Sequence, residues 1–394
     1  MESKKGEKIY FLTGIKGMSA IVVILYHMLS AVYPPIINKT ALIRPESLFL
    51  TKIAISPLNI FFDGNLAVAF FFLISGFFTA KACFNSKLHN SAEKFFKRYI
   101  RLAPYIFISV MLIYISIRIE INKSHEFAQA TQSAWLAQFY TVPVKLSTAL
   151  AEALYGSLIF GVCSMNPTLW TMQYIFWGSF YVIGTTVLVM NRNWKHRILI
   201  YTALSFMLFN TYYLGYILSV ALYDYYNNRS NIRLSRYLYF AALFVGLFFA
   251  SYPAEFPTDN TIYSIMSKLP WTYQVPMFWH NIGAALIIFA FFGIEKLQKL
   301  MSFKILLFFG DISYEIYILG FWLQNTVFAN IFLHNYKKGY YGRGFLIAAI
   351  ITYIILIICS VILKKVYYNL EKVCVSFYKN IIIYYRNRKN EYRR

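Results

Sequence analysis

Runs of about twenty apolar residues recur from one end of this chain to the other, and that repetition decides its fold class. Inside hydrocarbon every backbone N–H and C=O must find its partner within the protein, so such runs fold as helices that cross the bilayer. Hydrophobic residues make up 59% of the sequence, aromatics 20%, and the mean hydropathy is +0.51, all far outside soluble norms. The expected fold is therefore all-α: a polytopic transmembrane helical bundle forming a single domain over residues 1–394, with a short basic tail from about residue 379. Runs bounded by charge, proline or glycine place ten spans, at 17–33, 66–84, 99–119, 168–190, 197–210, 212–226, 237–252, 276–293, 312–333 and 344–363. The fifth and sixth are short for a bilayer of about 30 Å and touch at Asn210-Thr211, as a tight hairpin or one broken element.

A formal charge of +22 would suit a nucleic-acid partner, but the basic residues cluster at the ends of apolar runs. Positive-inside sorting and anionic lipid headgroups account for them there, and nucleic acid is not expected. With a cytoplasmic N-terminus, 28 of the 38 Lys and Arg residues fall on the inner side. Both termini and residues 85–97 (with Asn90) are then cytoplasmic; residues 34–57, 120–166 and 253–275 (with Asp259) are outside. The long outer loop 120–166 contains apolar stretches around residues 149–162 that suit an interfacial or re-entrant helix. The tail, with Tyr384-Tyr385-Arg386, reads as a disordered or interfacial anchor. Cys83, Cys163, Cys359 and Cys374 have no paired spacing, and the six histidines no ligand spacing, so neither a disulfide framework nor a metal site is expected.

One histidine, His27, lies deep in the first apolar run, eleven residues after Lys16. Eleven residues make about three turns plus 20°, so both side chains face one way, roughly 16 Å apart. An ionisable residue inside a membrane span marks a functional site by default; the plainer alternative is a packing hydrogen bond to a neighbouring helix. A second constellation, Lys94, Lys97, Arg98 and Arg101, opens the third span ahead of Pro104. Flanking charge explains the lysines well and explains two arginines running into the helix less well. Arg98 and Arg101, three apart, can converge on one anion, and guanidinium forks match phosphate geometry. Ser75-Gly76, after an aromatic run, forms a notch for a close-packed neighbour, with Ser75 available for polar contact with a ligand. Glu315 is an acid within a predicted span, either functional or paired with a base.

Taken together, these segments resemble the acyltransferase-3 family of integral membrane acyltransferases. Tyr10-Phe11-Leu12-Thr13-Gly14-Ile15-Lys16-Gly17 followed by Leu25-Tyr26-His27 is similar to its opening, and Phe72-Leu73-Ile74-Ser75-Gly76-Phe77 to its second signature. Lys97-Arg98-Tyr99-Ile100-Arg101-Leu102-Ala103-Pro104 resembles the basic third one. Thr168-Leu169-Trp170-Thr171-Met172 with Gly178-Ser179, then Gly310-Asp311-Ile312-Ser313-Tyr314-Glu315-Ile316-Tyr317, and Asn369-Leu370-Glu371-Lys372 follow in the family's order. The chain departs from the pattern at Ile175, where the family often has glutamate, at Gly320, where it often has histidine, and at Lys16, where arginine is commoner.

The resemblance implies transfer of an acyl group, usually acetyl, from cytoplasmic acyl-CoA to a hydroxyl of a cell-surface or lipid-linked glycan or a small molecule, by a multi-pass protein of a bacterial plasma membrane. No cofactor is bound permanently; acyl-CoA is a co-substrate. His27 would be the general base, since a histidine buried without an acidic partner stays neutral and can accept a proton. Lys16, Arg98 and Arg101 would hold acyl-CoA, and Tyr26, Ser75, Trp170, Tyr314, Glu315 and Tyr317 would line the tunnel or acceptor site. A glycolipid transporter or flippase is the alternative, although no repeat between the halves supports it; a non-catalytic relative of the same fold, favoured by Ile175 and Gly320, is another.

Overall fold

In the computed structural model, residues 9–36, 47–85, 91–228, 234–254, 256, 258, 261–268 and 275–391 are described, with the side chains of 47, 91–97 and 370–391 excepted. Lys4, Lys5, Lys8, Lys87, Asn90, Arg229, Arg233 and Asp259 therefore lie outside the described residues, as do the side chains of Lys94 and Lys97. The described chain is helical, with no strand among its residues. In order it forms α1 (Tyr10–Val32), α2 (Ser47–Ala54), α3 (Gly64–Phe84) and α4 (Ser91–Arg118). Three short helices follow, α5 (Ser124–Thr131), α6 (Ala134–Ala137) and α7 (Leu146–Ala151), the last continuing as a wider π-helical stretch, Glu152–Phe160. Then come α8 (Trp170–Val189), α9 (Trp194–Leu208), α10 (Leu214–Asn228), α11 (Arg236–Ala250), α12 (Ser264–Ser267) and α13 (Val275–Gly293). The chain ends with α14 (Glu295–Met301), α15 (Lys304–Asp311), α16 (Ser313–Leu323), a π-helical Gln324–Phe328, α17 (Ala329–Tyr336) and α18 (Tyr341–Glu391).

Seven helical stretches among the described residues, 19–29 residues long, are apolar enough to cross a membrane: Tyr10–Val32, Gly64–Phe84, Arg98–Arg118, Pro167–Val189, Val275–Gly293, Ser313–Tyr336 and Tyr341–Asn369. The protein is a membrane protein of the all-helical class. The other three expected spans are α9, α10 and α11, of 15 residues each. At about 22 Å they fall short of a full hydrocarbon thickness. α9 and α10 form the hairpin rather than one broken element: Arg197, near the start of α9, meets Asp224, near the end of α10, at 2.6 Å, and Tyr201 donates to the same carboxylate at 2.9 Å.

The third span falls where expected, at Arg98–Arg118, although the helix α4 that carries it begins at Ser91 and has Pro104 inside it. Of the two readings of the basic tail, disorder and an interfacial anchor, the first does not hold up to Glu391, where α18 runs unbroken. The apolar stretch of the 120–166 loop is helical, as expected, in α7 and its π-helical continuation.

Packing around α1 depends on missing side chains. A Cβ on Gly14 would collide with the Met301 backbone, one on Gly17 with Leu306 and Gly310, and one on Gly310 with Thr13. These glycines let α1 touch the end of α14 and the length of α15 backbone to backbone, the usual means of tight association between apolar helices. α3 lies at the centre, touching α1, α8, α10 and α13. Its first turn is fixed by Asp63, whose carboxylate accepts from Asn65 N at 2.7 Å and Leu66 N at 3.0 Å. Gly76 fills the expected notch, pressed against Ser219 and Tyr216 of α10.

Candidate active site

Two cavities open between these helices, and they share residues. The larger, about 1030 Å³, takes Lys16 from α1, Ser75 from α3, Arg98 and Arg101 from α4, Asp311 from α15, Tyr314 and Glu315 from α16, and Lys364 and Lys365 from α18. Five cations face two carboxylates, so its potential is positive and suits an anion. The rest of its wall mixes apolar side chains, such as Phe71, Phe72, Leu102, Met172 and Ile175, with hydroxyls, such as Thr79, Thr171 and Ser179.

Arg98 is the most constrained of the cations. Its Nη2 donates to Ser75 Oγ at 3.1 Å and to the Ile175 carbonyl at 3.3 Å, while its Nε is buried without a hydrogen bond among the described residues. Ser75 thus meets an arginine, and the glutamate missing at 175 is answered by a main-chain oxygen. Arg101 is exposed at the cavity edge. Lys364 of α18 donates to the Asp311 carbonyl at 2.7 Å. Glu315 is 4% exposed; one carboxylate oxygen accepts from Tyr105 at 2.7 Å and the other is buried without a hydrogen bond among the described residues. Its hydrogen-bonded neighbour is thus a phenol rather than the base considered from sequence.

The smaller cavity, about 270 Å³, holds His27 with Tyr26, Ser30, Asn65, Trp135, Thr168, Trp170 and Tyr317 among its lining. Val68 and Tyr317 line both cavities. His27 sits about 16 Å along α1 from Lys16, so one helix carries a residue of each chamber. The imidazole stacks on Trp135 with centroids 5.7 Å apart and planes 13° apart, and meets the edge of Tyr26 at 5.5 Å. No hydrogen bond to either ring nitrogen is found among the described residues, and the packing alternative read from sequence therefore has no partner there.

A buried scaffold fixes the far wall. Glu152, 2% exposed, accepts from the main-chain N–H of Ser164 at 2.9 Å, Met165 at 3.0 Å and Asn166 at 3.3 Å. Asn166 then caps the next turn by accepting from Thr168 N at 3.0 Å, and donates to Ser109 at 2.8 Å. Tyr317 donates to the Thr168 carbonyl and pairs with the Thr171 hydroxyl at 2.9 Å. Trp170 packs in an aromatic group with Phe72, Tyr174 and Tyr212.

All ten sequence-selected residues thus line one chamber or the other. Lys16, Ser75, Arg98, Arg101, Tyr314 and Glu315 are in the larger, Tyr26, His27 and Trp170 in the smaller, and Tyr317 in both. The family position filled by Gly320 packs against Ile24 Cδ1, so a histidine there would need that side chain to move. Sequence reasoning passed over Trp135, Glu152, Tyr105 and Lys364. Glu152 carried a readable signal, being an acid inside an apolar stretch, like Glu315. It also passed over His280, which is fully buried in α13, 2.8 Å from the Tyr252 carbonyl and 3.5 Å from Asp63. No group of three or more potential metal ligands occurs among the described residues.

The acyltransferase-3 sequence profile, described as an acyltransferase domain, matches residues 9–365, nearly the whole chain. The chain belongs to that family. Among curated proteins the chain is similar to Acyltransferase R4 of Phoma sp., 28% identical over 119 residues. That match covers 29% of this chain and 25% of the relative, about a quarter of that protein's length. No solved structure matches it.

Proposed function

We propose that this membrane acyltransferase moves a short acyl group, acetyl being the simplest, from cytoplasmic acyl-CoA to a hydroxyl of a glycan, lipid-linked or at the cell surface. The observation that carries this reading is the meeting of a cationic chamber and a histidine chamber at Val68 and Tyr317. The phosphates of CoA would rest among Lys16, Arg98 and Arg101, with the fork of Arg98 already aimed by Ser75. The pantetheine arm would run along α1 and bring the thioester past Tyr317 to His27. The positive-inside pattern puts the cationic chamber on the cytoplasmic side. The smaller chamber, with its tryptophans, Asn65 and hydroxyl side chains, offers stacking faces and hydrogen bonds to a sugar from the opposite side.

The chemistry needs one base. A ring nitrogen of His27 takes the proton of the acceptor hydroxyl as its oxygen bonds to the thioester carbon. The C–S bond then breaks, and the proton passes to the departing thiolate, leaving an ester and free CoA. The test is CoA release from acetyl-CoA by the purified protein in lipid nanodiscs, with methyl glucoside as hydroxyl probe. His27→Ala and His27→Gln should each lose about 10²–10⁴-fold while remaining folded, because glutamine restores a hydrogen bond and not basicity. Undiminished turnover by folded His27→Ala would remove the assignment.

A further inference from the structure

A base that gains a proton gains a charge, and in a membrane-embedded chamber that charge needs a partner. Histidine bases are commonly steadied by a third group, often a carboxylate. Among the described residues none is present here: no Asp or Glu of that set lines the smaller chamber, and neither ring nitrogen of His27 has a hydrogen bond. The imidazole instead has a large π face beneath it. Its centroid lies 5.7 Å from that of Trp135, with the planes 13° from parallel. A cation within about 6 Å of an indole face is attracted by the ring quadrupole, tryptophan being the strongest such partner.

The local chain holds that indole in place. α6 is a four-residue helix in the long loop, N-capped by Ser133, which accepts from Leu136 N at 3.4 Å. Leu136 is fully buried and anchors the helix from below. The preceding Gln132 takes a left-handed conformation (φ 57°) that non-glycine residues seldom adopt, turning the chain out of α5 into α6. Edge contacts to Phe139 at 5.5 Å and to Phe321 of α16 at 5.9 Å fix the indole from two more sides.

We infer that Trp135 is a positioning residue for His27: its indole face orients the neutral imidazole and stabilises the imidazolium formed when the acceptor proton arrives, where a carboxylate would otherwise serve. This rests on His27 being the base. The proton balance is that of the reaction above; Trp135 exchanges no atom and acts through His27.

The experiment replaces Trp135, by site-specific incorporation, with mono-, di- and trifluorinated tryptophans, which keep the shape and drain the quadrupole. CoA release from acetyl-CoA with methyl glucoside should show kcat falling stepwise with fluorine number, by about 2- to 30-fold in all, and an unchanged KM for acetyl-CoA. Trp135→Phe should keep part of the activity, while Trp135→Leu, of comparable bulk and without a π face, should lose more. A second readout needs no turnover: contact with an imidazolium quenches indole emission, so acidification should dim tryptophan fluorescence in the parent protein. That quench should vanish alike in Trp135→Phe and His27→Gln. A flat fluorine series, or a quench that survives Trp135→Phe, overturns the inference. A quench that behaves as stated, with full turnover by His27→Gln, would instead overturn the base assignment and leave the contact standing.

Discussion

Replacing Glu152 with alanine removes the acceptor for three main-chain N–H groups at once, and the structure says how much each matters. Ser164 is exposed and its N–H can be taken over by water, so little is lost there. Met165 and Asn166 are 1% and 0% exposed, and theirs cannot. A buried donor left without a partner costs about 1–3 kcal/mol, so two of them give a destabilisation of about 2–6 kcal/mol. Glu152→Gln, with its one acceptor oxygen in the place of Oε1, keeps both buried bonds and should cost clearly less than alanine. The measurement is thermal or denaturant unfolding of purified protein in nanodiscs, with tryptophan emission as the signal. Activity should fall with stability, because the turn that Glu152 holds carries Thr168, whose carbonyl is the acceptor for Tyr317. A Glu152→Ala protein within about 0.5 kcal/mol of the parent, the scatter of neutral surface substitutions, would refute the claim that this carboxylate organises the chamber wall.

Three further outcomes are expected. Arg98→Ala should weaken acyl-CoA binding at least tenfold, with Lys only partly restoring it because the fork is lost; Arg101→Ala should do less, since its side chain is exposed, and unchanged affinity in both would reduce the pair to a topology signal. Gly320→Ala should cost about 1–3 kcal/mol through overpacking against Ile24, read by the same unfolding assay, and a neutral result would show that Ile24 yields freely. Single cysteines at Val142 and Trp194, 70% and 67% exposed, in a cysteine-free background should separate the two faces. An impermeant thiol reagent on intact cells should label the first and spare the second, and the reverse would invert the orientation and take the CoA role from the arginines.

Much of this arrangement was legible because a helix converts spacing into direction. Lys16 and His27 could be placed on one face, and Arg98 beside Arg101, from residue numbers alone. Gly76 and Glu315 announced themselves as small and acidic residues in apolar runs. What escaped was set by tertiary contact. Trp135 stands in a polar loop with no periodicity, and only folding lays it on His27. Lys364 looked like ordinary flanking charge until α18 brought it to the chamber rim. The helices α9, α10 and α11 are apolar enough to read as spans, but hydropathy registers composition more faithfully than length, and each stops at 15 residues.

The contact of the two chambers at Val68 and Tyr317 also bears on the cell's ion gradients. An enzyme that draws one substrate from each side of a membrane contains most of a pore, and a wet path through it would short-circuit the proton-motive force. Tyr317, 7% exposed, is tied by its hydroxyl to Thr168 and Thr171, and Val68 offers water nothing to bind. Under the proposed two-sided reaction, this pair would be the insulation between turnovers. Parting it means giving up two hydrogen bonds, a modest toll of about 1–3 kcal/mol that the binding of the proposed thioester would meet and a stray ion, stripped of its water, would not.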